Sequence, residues 1–263
     1  MIRVFFAEWR KLRRPTLFLG ASLAVIAVTA LVTSLLFLLI DSPQGNSDRG
    51  AIINRGILAL PTGITVGFSG SAGLLGLVAL CVFAAQTAQE YTYGTLRNLL
   101  VRQPKRLTLL LGKFIAMKVF ALLTVLISAV VSISLAFALS GRAKVDNSAW
   151  TTTAASSAFA HTLLNVFISV LASGTIGMIL GLLFRSPITA ISIGVAWLLI
   201  IENIIEATVK NSGKWLPGQM INSIAAGGDF NSSYSHAIVS VSVFLLAGSL
   251  IVGVLFRRRD VSN

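Results

Sequence analysis

Residues 17–40 read LFLGASLAVIAVTALVTSLLFLLI, a run with no charged residue. About 20 apolar residues in a helix cross the hydrocarbon core of a bilayer, so this stretch predicts a membrane span. Basic residues precede it, as in a secretory signal. The run is longer than the apolar region of such a signal, however, and no Ala-x-Ala cleavage pattern follows it, so the expectation is an anchor that stays. The same test finds further spans at about 62–87, 107–139, 159–184, 187–206 and 236–256. The second passes despite Gly63, Gly67, Gly70, Gly73 and Gly76, whose spacing suits close approach of helices in lipid. The fold class expected is all-α: a single polytopic transmembrane domain over 1–263 with six spans.

Composition agrees. Of 263 residues 55% are hydrophobic and 11% charged, and mean hydropathy is +0.86. A soluble domain of this size needs no such apolar excess. The one cysteine, Cys81, rules out a disulfide framework or a thiolate metal cluster. The net charge of +12 would suggest nucleic acid in a soluble protein. With both termini inside, the cytoplasmic segments hold 15 of the 21 basic residues and only Glu8, Glu90 and Asp260 against them. The bias of Lys and Arg toward the cytoplasm thus explains the whole excess and fixes the orientation, and no nucleic-acid partner is expected.

Two segments outside the spans are helical in pattern. Over residues 2–14, Ile2, Phe5, Phe6, Trp9 and Leu12 fall near one face and Arg3, Glu8, Arg10, Lys11, Arg13 and Arg14 largely on the other. Such a helix is expected flat on the inner leaflet, its aromatics in the acyl boundary and its cations at anionic headgroups, until Pro15 turns the chain into the first span. Residues 90–106 read EYTYGTLRNLLVRQPKR. Gly94 breaks the second span, Leu96, Leu99, Leu100 and Gln103 share one face of a short helix at about 95–103, Arg97 and Arg102 lie on another, and Pro104 stops it. A loop between two spans needs only a few polar residues. A separate amphipathic helix there points to a soluble partner, although a basic helix resting on anionic lipid would show the same charges.

Taken in order, these residues resemble a family. Glu8-x-x-Lys11-Leu12-x-Arg14, with Trp9 beside it, is similar to the elbow helix of type-2 ABC exporter permeases. Glu90-x-x-x-Gly94-Thr95-x4-Leu100, Pro104-x-Arg106 and Gly112-Lys113 look like that family's first cytoplasmic loop. Six spans, cytoplasmic termini and Leu216-Pro217 before the last span extend the resemblance over essentially the whole chain. It implies a coupling helix inserted into a separate ATPase subunit, present in two copies, and a second permease chain, identical or related. Leu96, Leu99 and Leu100 would then fill a groove on the ATPase, with Glu90, Arg97 and Arg102 at its rim. The resemblance further implies export of a peptide, drug or other amphiphile, or of sodium, across the cytoplasmic membrane of a prokaryote.

Other chemistry finds little support. A phosphate-binding loop needs Gly-Lys-Ser/Thr, yet Gly112-Lys113 precedes Phe114 and Gly213-Lys214 precedes Trp215. Leu139-Ser140-Gly141 continues Arg142-Ala143 and reads as chance. ATP and magnesium are therefore expected on the partner, with no cofactor, metal or catalytic set on this chain. His161 and His236 stand where helices meet the outer interface and read as interfacial caps. Glu202 and Glu206 lie one turn apart in the fifth span, and a carboxylate in apolar sequence is costly. Glu202 is accordingly a candidate for the outer part of a substrate path, set against a hydrogen-bonded role with Asn203 and outer-loop donors. A stand-alone secondary transporter or channel is the alternative, though no inverted repeat marks one.

Overall fold

The apolar runs become helices because in lipid each backbone amide and carbonyl must bond within its own segment. The computed structural model describes residues 2–40, 54–95, 99, 101, 105–229 and 232–258, most of them helical, with no strand among them. A short helix α1 (Ile2–Leu12) leads at Pro15 into α2 (Pro15–Leu38). After α3 (Arg55–Leu58), a 3₁₀ turn over Pro61–Thr65 opens α4 (Val66–Thr92). Then come α5 (Arg106–Ser140), α6 (Thr153–Phe184) and α7 (Pro187–Thr208), the last interrupted by a π turn at Trp197–Ile201. A ten-residue helix α8 (Pro217–Ala226) precedes α9 (Tyr234–Arg258). Six helices, α2, α4 with its 3₁₀ start, α5, α6, α7 and α9, are long and apolar enough to cross a membrane.

Burial orders them. The apolar windows of α4 and α6 are 50% and 56% buried, those of α7 and α9 only 17% and 11%, so α4 and α6 form the centre. Their seam is built on missing side chains. A Cβ at Gly177 would collide with the backbone carbonyl of Leu80, one at Gly181 would sit 2.9 Å from the Ala84 oxygen, and one at Gly174 2.8 Å from the Phe83 ring. Gly76 meets Ser173 in the same way. The glycines of α6, with Gly76 of the second span, are therefore used for packing within the chain, the close approach that small residues permit in lipid. On the other flank α2 and α5 are joined by hydroxyl pairs, Thr29 with Ser128 at 2.8 Å and Thr33 with Ser132 at 3.1 Å.

The turn between α6 and α7 follows its sequence. Arg185 takes a left-handed φ of +56°, Ser186 accepts the amide of Thr189, and Pro187 starts α7. The loop after α5 departs from expectation. Its Ser/Thr/Ala composition reads as weakly structured, yet Trp150 packs edge-on against Phe37 and Phe137 and donates its Nε1 to the carbonyl of Leu58, while Arg55 Nε donates to the carbonyl of Ala143. One buried indole with a partner for its N–H thus ties the loop after α5 to α3.

Candidate functional site

Four charges meet where the end of α4 and the start of α5 face α1. Lys113 Nζ donates to Glu8 Oε2 and Glu90 Oε1, each at 2.7 Å, and to the carbonyl of Gln86 at 3.2 Å. Lys11 Nζ donates to Glu8 Oε1 and Glu90 Oε1, again each at 2.7 Å. Lys113 is 1% exposed, Glu8 3% and Glu90 5%. Desolvating an ion is expensive, and it persists only where opposite charges and hydrogen bonds replace water. Here two cations and two anions balance, each ammonium reaching both carboxylates.

Helix α1 supplies two of the four because three of its residues, Val4, Glu8 and Leu12, spaced by four, form the face buried against the spans. Ile2 and Phe6 are left exposed on another side and Arg3 and Arg10 on a third. This corrects the two-faced reading of the sequence, in which Glu8 sat with the outward charges. The wheel of α1 gives no hint of it, since the partner Lys113 lies 105 residues away. Trp9 is half-buried and stacks on Phe5, and Arg14 is exposed at the N-cap of α2. Helix α1 ends at Leu12, so Arg13 and Arg14 form the turn before Pro15.

Burial alone would push the Glu8 carboxyl up, but the Lys113 and Lys11 ammoniums outweigh it and hold the group below the ordinary carboxylate range. Burial likewise opposes the Lys11 charge, and Glu90 and Glu8 overcome it, raising the ammonium above its ordinary value. The Glu8 contribution to stability is therefore complete above the unfolded carboxylate value and lost as pH falls through the lowered one. The Lys11 contribution is complete below the unfolded ammonium value and lost as pH rises through the raised one. The thermal midpoint of the chain in detergent is thus expected to be level across roughly pH 5–10 and to fall on both sides. In Glu8→Gln the acid-side fall should shrink, and an unchanged acid limb would show that Glu8 does not couple to folding.

The loop expected to dock a partner is only partly described. Leu96, Arg97, Leu100 and Arg102 lie outside the described residues. Glu90, expected at a rim, is instead enclosed within this chain by Lys11 and Lys113. Gly94 has a left-handed φ of +63° and breaks the helix, and the hydroxyl of Thr95 donates back to the carbonyl of Glu90. Leu99 is half-buried against the chain's own core. Among the described residues of the loop, the large apolar side chains turned outward are Tyr93 and Val101, 74% and 79% exposed. Around this site Arg185 lies over the Tyr91 ring at 5.6 Å, and Arg106 donates to the carbonyl of Phe256 at 2.9 Å, so the ends of α4, α5, α6 and α9 are tied together.

Glu202 stands apart from this cluster, on the far side with α8. It is fully buried and accepts from Trp197 Nε1 at 2.7 Å and from the amides of Gly218 and Gln219 at 3.0 and 3.1 Å. That is the hydrogen-bonded alternative, with outer-segment donors; Asn203 bonds instead to the carbonyl of Leu199. Among the described residues no group of three or more His, Cys, Asp and Glu could hold a metal ion. His236 packs edge-on against the exposed Trp215.

A family model described as a protein of unknown function, DUF2705, matches residues 61–262. The chain belongs to that family. No curated protein matches the chain. The DUF2705 match begins at the 3₁₀ turn that opens α4 and takes in Glu90, Lys113, Glu202 and α8. It leaves out α1 and α2, so the charge network joins two residues within the DUF2705 region to two that precede it. From sequence Lys113 enters only as one of the cytoplasmic cations and in the Gly112-Lys113 pair. The signal that could have singled it out is an ammonium seven residues into an apolar helix, where an unpaired charge is costly.

Proposed function

We propose that this chain is the membrane-spanning subunit of an ATP-driven exporter of the ABC type, with α1 as its elbow helix and the loop after α4 as the docking element for a separate ATPase. In this reading the α1 side is cytoplasmic, the membrane is the cytoplasmic membrane of a prokaryote, and two copies of the chain, or this chain and a relative, pair with two ATPase subunits that carry ATP and magnesium. The observation that carries the reading is the buried network of Glu8, Lys11, Glu90 and Lys113. It clamps both flanks of the loop, the end of α4 and the start of α5, onto α1. A push on the loop would then move three helices as one body, which is what transmission from an external motor requires and what a loop merely resting on lipid does not. The resemblance of the elbow and loop motifs to type-2 ABC permeases supports the same reading. A peptide, drug or other amphiphile suits a chain with short far-side loops. Sodium suits it less, since the buried carboxylate Glu202 already holds three donors of its own chain.

The outward side chains choose the test. Tyr93 and Val101, rather than the half-buried Leu99, are the surface a partner would meet. With the tagged chain co-expressed beside an ATP-binding-cassette subunit from the same genome neighbourhood, vanadate-sensitive ATP hydrolysis is expected to co-purify. In Tyr93→Asp/Val101→Asp it should fall about tenfold or more, as burying unpaired carboxylates in an interface predicts. The variant chain should stay monodisperse. Failure of any such subunit to co-purify with the wild type, or equal recovery with the double variant, would reject the proposal.

A further inference from the structure

The fifth span widens into a π turn at Trp197–Ile201, and the amide of Glu202 donates to the carbonyl of Trp197. A bond from i to i+5 holds one more residue per turn than an α-helix allows. In a regular helix residues five apart point about 140° away from each other. The π turn brings Trp197 and Glu202 together instead, and the indole Nε1 donates to Glu202 Oε1. Trp197-Leu-Leu-Ile-Ile contains neither Gly nor Pro, so nothing in the local sequence imposes the widening.

The contacts that hold Glu202 come from α8. Its N-cap, Leu216, has no side-chain oxygen to offer, and the free amides of Gly218 and Gln219 are satisfied by the Glu202 carboxylate from another helix. The fit is close: a Cβ at Gly218 would sit 2.5 Å from Glu202 Oε2 and 2.8 Å from Leu198 Cδ2. Helix α8 is itself wedged among α4, α6 and α9, with Met220, Ile221 and Ile224 buried. It ends at Gly227 and Gly228, whose φ values of +80° and +107° make a pivot that side-chain-bearing residues rarely adopt. Beneath α8 a groove of about 440 Å³ runs between α6 and α9, lined by Phe114, Leu171, Val241, Leu245 and Leu246 and bounded on the far side by Ile224 of α8.

We propose that the π turn and Glu202 form a two-state latch holding α8 as a removable plug at the far-side end of this groove. Relaxation of the π turn to α-geometry rotates the helix beyond it by about 100°. That single change withdraws the carboxylate from Trp197, Gly218 and Gln219 together, and α8 is freed to swing on Gly227 and Gly228. This inference does not depend on the ATPase reading, because the latch lies on the opposite side from α1 and its test uses the isolated chain.

Hydrogen exchange of the full chain in lipid nanodiscs tests it. In Glu202→Gln one carboxylate oxygen becomes an amide that cannot accept. Exchange across all of 218–226 is then expected to accelerate about tenfold or more, with α4 and α6 unchanged. Trp197→Phe keeps the carboxylate, and should give a smaller acceleration over the same residues; it also serves if Glu202→Gln fails to fold. Acceleration confined to Gly218 and Gln219, or absent in both variants, would overturn the proposal, since α8 would then be a fixed strut with a local cap.

Discussion

Lys113→Met is expected to lower the stability of the folded chain by about 3–5 kcal/mol, the cost of removing one partner from a buried ion pair. The size follows from what remains. Glu8 and Glu90, at 3% and 5% exposure, would face each other with only Lys11 between them. Lys11 is itself partly open to solvent and cannot replace the second ammonium. Thermal midpoints in detergent, read by size exclusion after heating, would measure the loss. Proteolysis within residues 2–14 should begin at lower temperature than unfolding of the spans, because α1 is held to them largely by this cluster. A sharper check is Glu8→Met/Glu90→Met/Lys113→Met. With both carboxylates and the buried ammonium removed together, and Lys11 left partly open to solvent, most of the loss should be recovered, as replacing buried ions with packed apolar groups is often neutral or better. A triple variant as unstable as Lys113→Met alone would show that packing around the site, and not its charge balance, sets the cost.

Gly177→Ala should be strongly damaging to the α4–α6 seam. The added Cβ points at the backbone carbonyl of Leu80, which has no rotamer to change, so α4 and α6 must separate. Overpacking of a tight core costs about 1–3 kcal/mol, and here the upper end or more is expected because the seam continues through Gly174 and Gly181. Gly253→Ala is the control: it lies in α9 with nothing near its Cβ, and should be neutral or slightly stabilising, since alanine costs less helix entropy than glycine. Equal midpoints for the two variants would refute the account of the α4–α6 seam.

What could be read from sequence divides along the range of the interaction concerned. The six spans were legible because hydrocarbon imposes a length and an apolar composition on each segment separately. The turn at Ser186 and Pro187 was legible because capping is local. The glycines of α4 announced close packing, but not that their partners are Ser173, Thr33 and Asn222 on three other helices. Glu8 was assigned to the outward face of α1 because a helical wheel weighs a charge without knowing of Lys113. The rim role of Glu90 comes from the family resemblance, which likewise carries no information about Lys11 and Lys113. The inward turn of Leu99 could not be seen, since a leucine on a short amphipathic helix looks the same whether it meets another protein or its own. Least visible of all was the π turn: five apolar residues without Gly or Pro give no sign of a wider helix, and its causes lie in Glu202 and in α8, a separate helix.

The reach of the Glu8–Lys113 contact also bears on how the chain is made. The two residues are 105 positions apart, and at ribosomal rates of roughly 5–20 residues per second their syntheses are separated by about 5–20 s. During that interval Glu8 has only Lys11 of its own helix as a partner. Attachment of α1 therefore records the arrival of α5. A nascent chain stopped between Glu90 and Lys113 would carry two acidic groups of the cluster and a single ammonium.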